Sequence, residues 1–324
     1  MYNDIHGDFI LSPLFDILKG GVTASNSITA GVETYPLSEY FFQSLFLRMT
    51  GAQEQKLKCI LWELASNDYQ FRYEFLHTKS YGECSEYKAK SEVFNDLVNA
   101  IQSINTTFSV SRIWDDIPLT PEVIAVERTR WETRVKESYR KQAEDIIRKK
   151  EEKDGPMGDA QKQRIIDNFL AKSLPEMDYI NHLSSLKKEK RIHEVIQNIV
   201  DLFDSSKVKR WAEQDFIHYK SKAKRYFDPK RVAQKQLLDS ELIKYHQSSV
   251  YKHRNACAHN TVSYQPNLPT LSTLRINDYK QRNYFFRFTL LVLIDEVMVR
   301  TYKYYINNTS VKIYRTKKLN NGSR

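Results

Sequence analysis

Apolar residues recur at three- and four-residue intervals along most of this chain, and little is present to interrupt the period. Phe42, Leu45, Phe46, Met49, Leu57, Ile60, Leu61 and Leu64 form one such series, and Ile192, Val195, Ile196, Ile199, Val200 and Phe203 another. That spacing gathers side chains on one face of an α-helix. Nine glycines and nine prolines in 324 residues are too few for the turns of a β-rich fold. The sequence therefore predicts an all-α protein, a helical bundle with additional N-terminal helices and one long charged helix. At least half of its residues should be helical.

Local signals place the elements. Residues 1–34 show no sustained period and contain Gly20, Gly21 and Gly31, so they read as a loosely attached leader. Helix begins near Ser38. Around Gly51 two readings stand: Thr50 and Gln53 form a capping box, or Gly51 lies inside one long helix. SYGECSEY reads as a loop, Val93 to Ile104 as a short helix, and NTTFSVSRIW (105–114) as extended chain. Thr120, Pro121 and Glu122 supply a cap, a first-turn proline and an acid matched to the helix dipole. The charged helix that follows, to about Lys153, carries Trp131, Val135, Tyr139, Ala143 and Ile147 along one stripe, and Glu132–Lys136 and Glu137–Lys141 are spaced as ion pairs. DGPMGD breaks the chain and predicts an N-terminal helical region over 1–154 and a second helical domain over 155–324. In the second part, helices are expected from about residue 175, with a stop at Asp204-Ser205-Ser206, a start at Asp228-Pro229, a loop at QPNLPT (265–270) and a last helix from about Asp278 to Tyr305.

Charge narrows the partners. Fifty basic residues against forty acidic ones give a formal net charge of +10, which attracts polyanions. Cys59, Cys84 and Cys257 form no CxxC pair, arguing against a disulfide framework and a structural zinc site. His193 and His218 have no ligand spacing either, so no metal and no cofactor is expected. MYNDIHGDFI has no basic and apolar leader pattern, and the run FTLLVLI (288–294) is too short to span a bilayer. The expectation is a cytoplasmic protein without a membrane segment.

One stretch departs from the helical core pattern. YKHRNACAHN, residues 251–260, holds two of the eight histidines of the chain together with an arginine, a lysine and two asparagines. Four residues separate Arg254 from His259. With twenty arginines in the chain, that spacing arises about half a time by chance, and Arg72 and His77 in RYEFLH repeat it. Content separates the two. RYEFLH fills the interval with Tyr73, Phe75 and Leu76, which read as core. RNACAH fills it with Asn255 and three small residues, which let another surface approach. Asn260 can close the helix in the left-handed conformation.

The Arg254-Asn255-x-x-x-His259 pattern resembles the arginine-polar-x-x-x-histidine signature of the HEPN superfamily, all-α proteins that include metal-independent ribonucleases. The resemblance covers roughly residues 175–310 and leaves open whether the helices at 38–66 join the bundle, with the middle of the chain as an insertion. It implies a motif near the end of a long helix, a closing helix after it, and a dimer with a composite cleft. It also implies a toxin or abortive-infection role with an antitoxin or regulatory partner. The chemistry is sensible in itself. Histidine moves protons near neutral pH, and arginine matches phosphate oxygens as a fixed fork. Arg254, His259 and Asn255 are thus the catalytic candidates, and Lys252, His253 and Asn260 the candidates for RNA contact. On an ideal helix Arg254 and His259 lie about 140° and about 7.5 Å apart, so two copies across a two-fold axis make a better phosphate site than one. The alternative is a non-catalytic module of the same kind that binds RNA, nucleotide or a partner protein. A weaker third reading is a purely helical interaction protein.

Overall fold

The computed structural model describes residues 5–28, 34–206, 237–259 and 284–321. It is all-α and 83% helical, with no strand among the described residues. The chain divides into two compact units. One takes the residues up to Ile113 and those from Glu189 onward, and the other runs from Trp114 to Lys188. The break at DGPMGD falls inside the second unit, between two of its helices.

In the first unit, α1 (Ile5–Leu11) and α2 (Leu14–Ser25) occupy the segment expected to be a loose leader. Instead they belong to the core. Ile10, Leu14, Leu18 and Val22 recur every four residues and are all at most 1% exposed. Gly21 has a packing role, because a Cβ there would stand 2.6 Å from the Leu45 side chain. A buried ion pair ties the segment down. Lys56 Nζ meets Asp295 Oδ1 at 2.7 Å, and the other carboxylate oxygen accepts from the Leu14 backbone N–H at 2.7 Å. Lys56 also donates to the Ser12 carbonyl.

The central helix α3 (Tyr35–Asn67) runs unbroken through Gly51. Thr50 returns its hydroxyl to the Phe46 and Leu47 carbonyls, and Gln53 donates to the Leu291 carbonyl at 3.0 Å, so neither makes a capping box. The same unit holds α4 (Tyr69–His77), α5 (Tyr87–Ile104), the last part of α8 (Glu176–Asp204), α9 (Ser240–Tyr245), α10 (Lys252–Ala258) and α11 (Tyr284–Asn321). α3 packs against α1, α2, α4, α5, α10 and α11, and α11 also packs against α5. Phe42, Phe46, Phe203, Phe285 and Phe288 fill the space between them.

Residues 105–114 are not extended. Asn105 starts a turn by accepting from Thr107 N–H, Phe108 N–H returns to the Asn105 carbonyl, and residues Val110–Trp114 form a 3-10 helix. Phe108, Ile113 and Trp114 are each buried.

The second unit holds α6 (Pro121–Asp154), α7 (Asp159–Leu170) and the first turns of α8, with α6 packed on α7. Thr120 caps α6 as expected, accepting from Val123 N–H. Trp131, Ala143 and Ile147 of the stripe are buried, whereas Val135 and Tyr139 are partly covered. Glu132 takes Arg128 at 2.6 Å rather than Lys136, because Arg128 also lies over the Trp131 and Tyr179 rings and pairs with Glu176. α8 ends at Asp204, as the Asp-Ser-Ser sequence predicts. The expected start at Asp228-Pro229 and the loop at 265–270 lie outside the described residues. No helix among the described residues is long and apolar enough to cross a membrane.

Candidate functional site

The polar stretch begins at a change of helical geometry. Asp239 caps α9 through Leu242 N–H at 2.8 Å, and α9 then passes into a single π-helical turn, His246–Tyr251, before α10 resumes α geometry at Lys252. A π turn adds a residue to the local repeat and rotates everything after it. Leu242 before the turn, and His246 and Val250 within it, are buried. Beyond it, no residue of α10 is fully buried, and the helix lies against α3.

Arg254 is held on two sides. Its Nη2 donates to Glu54 Oε2 at 3.3 Å, and its Nε stands 3.3 Å from Glu54 Oε1 as an ion-pair contact without hydrogen-bond alignment. Nη1 donates to Asn255 Oδ1 at 3.0 Å. Asn255 therefore serves Arg254 and not His259 through that oxygen. Tyr251 of the π turn reaches Glu86, the residue before α5, with its hydroxyl 3.1 Å from Oε1. Both contacts fasten the motif helix to neighbours distant in sequence.

A second cation interacts with the Glu54 charge. Lys90, on the apolar face of α5, is 2% exposed and donates to the Cys84 carbonyl at 2.9 Å. Burial pushes its ammonium down to about 8, and the Glu54 carboxylate partly offsets that. Next to it, His246 is fully enclosed, with both ring nitrogens lacking a hydrogen bond among the described residues. Burial, with Lys90 adding to it, holds the imidazole at about 3, so it is neutral at physiological pH.

The opposite flank of α10 is an aromatic and acid–base chain. The Tyr284 hydroxyl donates to Glu39 at 2.8 Å and lies 3.1 Å from His253 Nε2. Since that hydroxyl has one proton, His253 is the donor to Tyr284 and carries its proton on Nε2. The His253 ring packs on Phe46, with centroids 5.1 Å apart. Burial, then the Arg287 charge, pushes its imidazole down to about 3. Cys257 Sγ is 3.6 Å from the same nitrogen, and burial pushes the thiol up to about 11, which makes it a packing group and not a nucleophile. Arg287 is 6% exposed, and its Nε and Nη1 have no hydrogen-bond partner among the described residues.

Of the residues singled out from sequence, Arg254 and Asn255 are brought into contact. His259 ends the helix, exposed, as the C-cap whose backbone N–H returns to the Asn255 carbonyl at 3.0 Å. Among the described residues no hydrogen bond or ion pair joins His259 to Arg254. Lys252 is exposed, whereas His253 turns to Tyr284 and Phe46. Asn260 lies outside the described residues.

No protein-family model, curated protein or solved structure matches this chain. What the site can do is therefore read from its own groups. No cluster of three or more histidine, cysteine or acidic side chains suited to a metal ion occurs among the described residues. Glu54 and Lys90 were missed in the sequence. Lys90 left a signal, since it falls on the Tyr87, Val93, Phe94, Leu97 stripe where a leucine is expected. Glu54 left none, because its partner is 200 residues away.

Proposed function

We propose that this chain is a HEPN-like, metal-independent endoribonuclease that cleaves RNA by 2′-hydroxyl transesterification at a site shared by two copies. One observation carries the reading. Arg254 is anchored by Glu54 and Asn255, with part of its guanidinium left over among the described residues, on the same short helix that ends in an exposed histidine. In the reaction the 2′-oxygen attacks phosphorus while one His259 removes its proton. The 5′-oxygen leaves with a proton from the second His259. A 2′,3′-cyclic phosphate and a 5′-hydroxyl remain. The two Arg254 side chains would stabilise the crowded phosphorane. Two copies are invoked because one helix points the arginine and the histidine about 140° apart. The small Ala256 and Ala258 side chains permit close approach. Lys252 would meet flanking phosphates. A cytoplasmic toxin or anti-phage role, restrained by an antitoxin or regulatory protein, suits an enzyme of this kind.

The non-catalytic reading has one observation in its favour. The Arg254 charge is already partly answered by Glu54, as in an arginine kept for structure. Incubating the purified protein with single-stranded RNA and a chelator, with light scattering of the same sample, separates the two. Cleavage by a dimer to cyclic-phosphate ends supports the enzyme. Binding without cleavage supports the module.

A further inference from the structure

The arginine of the motif does not stand alone, and its surroundings decide how it can meet a phosphate. A guanidinium has five N–H groups in one plane. Glu54 approaches along the edge formed by Nε and Nη2, and Asn255 takes one proton of Nη1. Among the described residues one N–H on Nη1 and one on Nη2 have no protein partner, two donors for the two non-bridging oxygens of a phosphodiester. An arginine free to rotate would sample many orientations, and fixing it in advance removes that cost from the chemical step.

Charge raises an objection. An arginine paired with a carboxylate is neutral as a unit and a poor partner for an anion. Lys90 answers it. The ammonium is enclosed within reach of both the Glu54 and Arg254 charges, so the trio carries a net charge of one positive unit, the counterpart of one phosphodiester. Lys90 cannot touch RNA from inside the core. It acts through its charge, which attracts Glu54 and opposes Arg254.

Resting on the ribonuclease reading above, we propose that Glu54, backed by the buried ammonium of Lys90, is the positioning residue of the site. It clamps Arg254 from one edge so that the remaining edge meets the scissile phosphate. The opposite role for the same carboxylate is a competitor, an anion occupying the place the phosphate must take. The two roles predict opposite results when the charge is removed.

The test is Glu54→Gln, with Glu54→Asp beside it, in steady-state cleavage of a short RNA. Circular dichroism and thermal melting report folding. Positioning predicts that Glu54→Gln lowers kcat about 10- to 100-fold, the scale for small misplacement of a catalytic group, while KM stays the same or falls. Glu54→Asp keeps the charge and should recover part of the loss. If Glu54→Gln does not fold, Glu54→Asp decides alone, because the shorter carboxylate draws Arg254 back and must lower kcat. Parent-like or faster cleavage by the folded Gln variant, or by Asp where Gln is unfolded, overturns the proposal and leaves the ribonuclease intact. Failure of the parent protein to cleave any RNA removes the ribonuclease reading, and the positioning role with it.

Discussion

Arg72 and Arg254 precede a histidine by the same interval, and each guanidinium is fastened to α3, but to different groups. Arg72 donates from Nε to the Ala65 carbonyl at 2.7 Å and from Nη2 to the Ser66 carbonyl at 3.1 Å, which covers the open end of α3. His77 turns back on its own helix, with Nδ1 2.8 Å from the Tyr73 carbonyl and its ring stacked on Tyr73. Arg254 meets a carboxylate instead of carbonyls, and a buried lysine interacts with the charge of that carboxylate. The lesson is about neighbours. Spacing put a cation and an imidazole on each helix, and the third group differs: carbonyls at a helix end for Arg72, a carboxylate for Arg254. The expectation that RYEFLH forms core was wrong, since no residue of α4 is buried and Tyr73 and Leu76 are more than half exposed.

The comparison breaks most sharply at the arginines. Arg254→Ala should cost about 100- to 1,000-fold in RNA cleavage, the scale of one lost oxyanion donor. Arg254→Lys should not restore it, because a point charge lacks the planar fork. Arg72→Ala should leave the activity of folded protein unchanged. Equal losses from both alanine variants would erase the distinction.

The next effect concerns two histidines of the second region alone. His246 and His253 are neutral in the fold, with values near 3 against an ordinary 6.5. Their folded values are depressed, so their contribution to stability is complete above 6.5 and declines as pH falls toward 3. Each histidine then removes about 1.4 kcal/mol per pH unit. Urea midpoints measured at pH 7 and pH 5 should differ accordingly, and His246→Leu should flatten the dependence. A stability that is level across this range would contradict the burial of both rings.

The smallest expected effect belongs to the helix end. Arg72→Ala should lower the unfolding free energy by about 1 kcal/mol, the net worth of hydrogen bonds that water can partly replace. A thermal melt that does not move would mean that water already serves those carbonyls.

The residues explain how far the sequence could be read. Thr120-Pro121-Glu122 was legible because a cap, a ring-fixed φ and a first-turn acid all act within four residues. The single long α3 was left open, because Thr50 and Gln53 can cap or continue a helix, and only the Leu291 carbonyl chose for Gln53. Residues 5–25 were misread because Gly20 and Gly21 hid a four-residue apolar repeat. Gly21 is there for the approach of Leu45, a tertiary demand. The site was legible in its own helix and no further. Arg254, Asn255 and His259 stand out by composition. The π turn does not, because Leu238, Leu242, His246 and Val250 step by four residues whether the turn is α or π.

On the proposed mechanism the second arginine–histidine pair is chemical and the first is structural. The direct measurement is cleavage of single-stranded RNA, in chelator, by His259→Ala and His77→Ala at matched folded concentration. The account predicts no cleavage by His259→Ala with helix content and dimerisation unchanged, near-parent specific activity for His77→Ala, and no cleavage of DNA, which lacks the 2′-hydroxyl nucleophile. Parent-like cleavage by His259→Ala, or a reaction that the chelator stops, would contradict it.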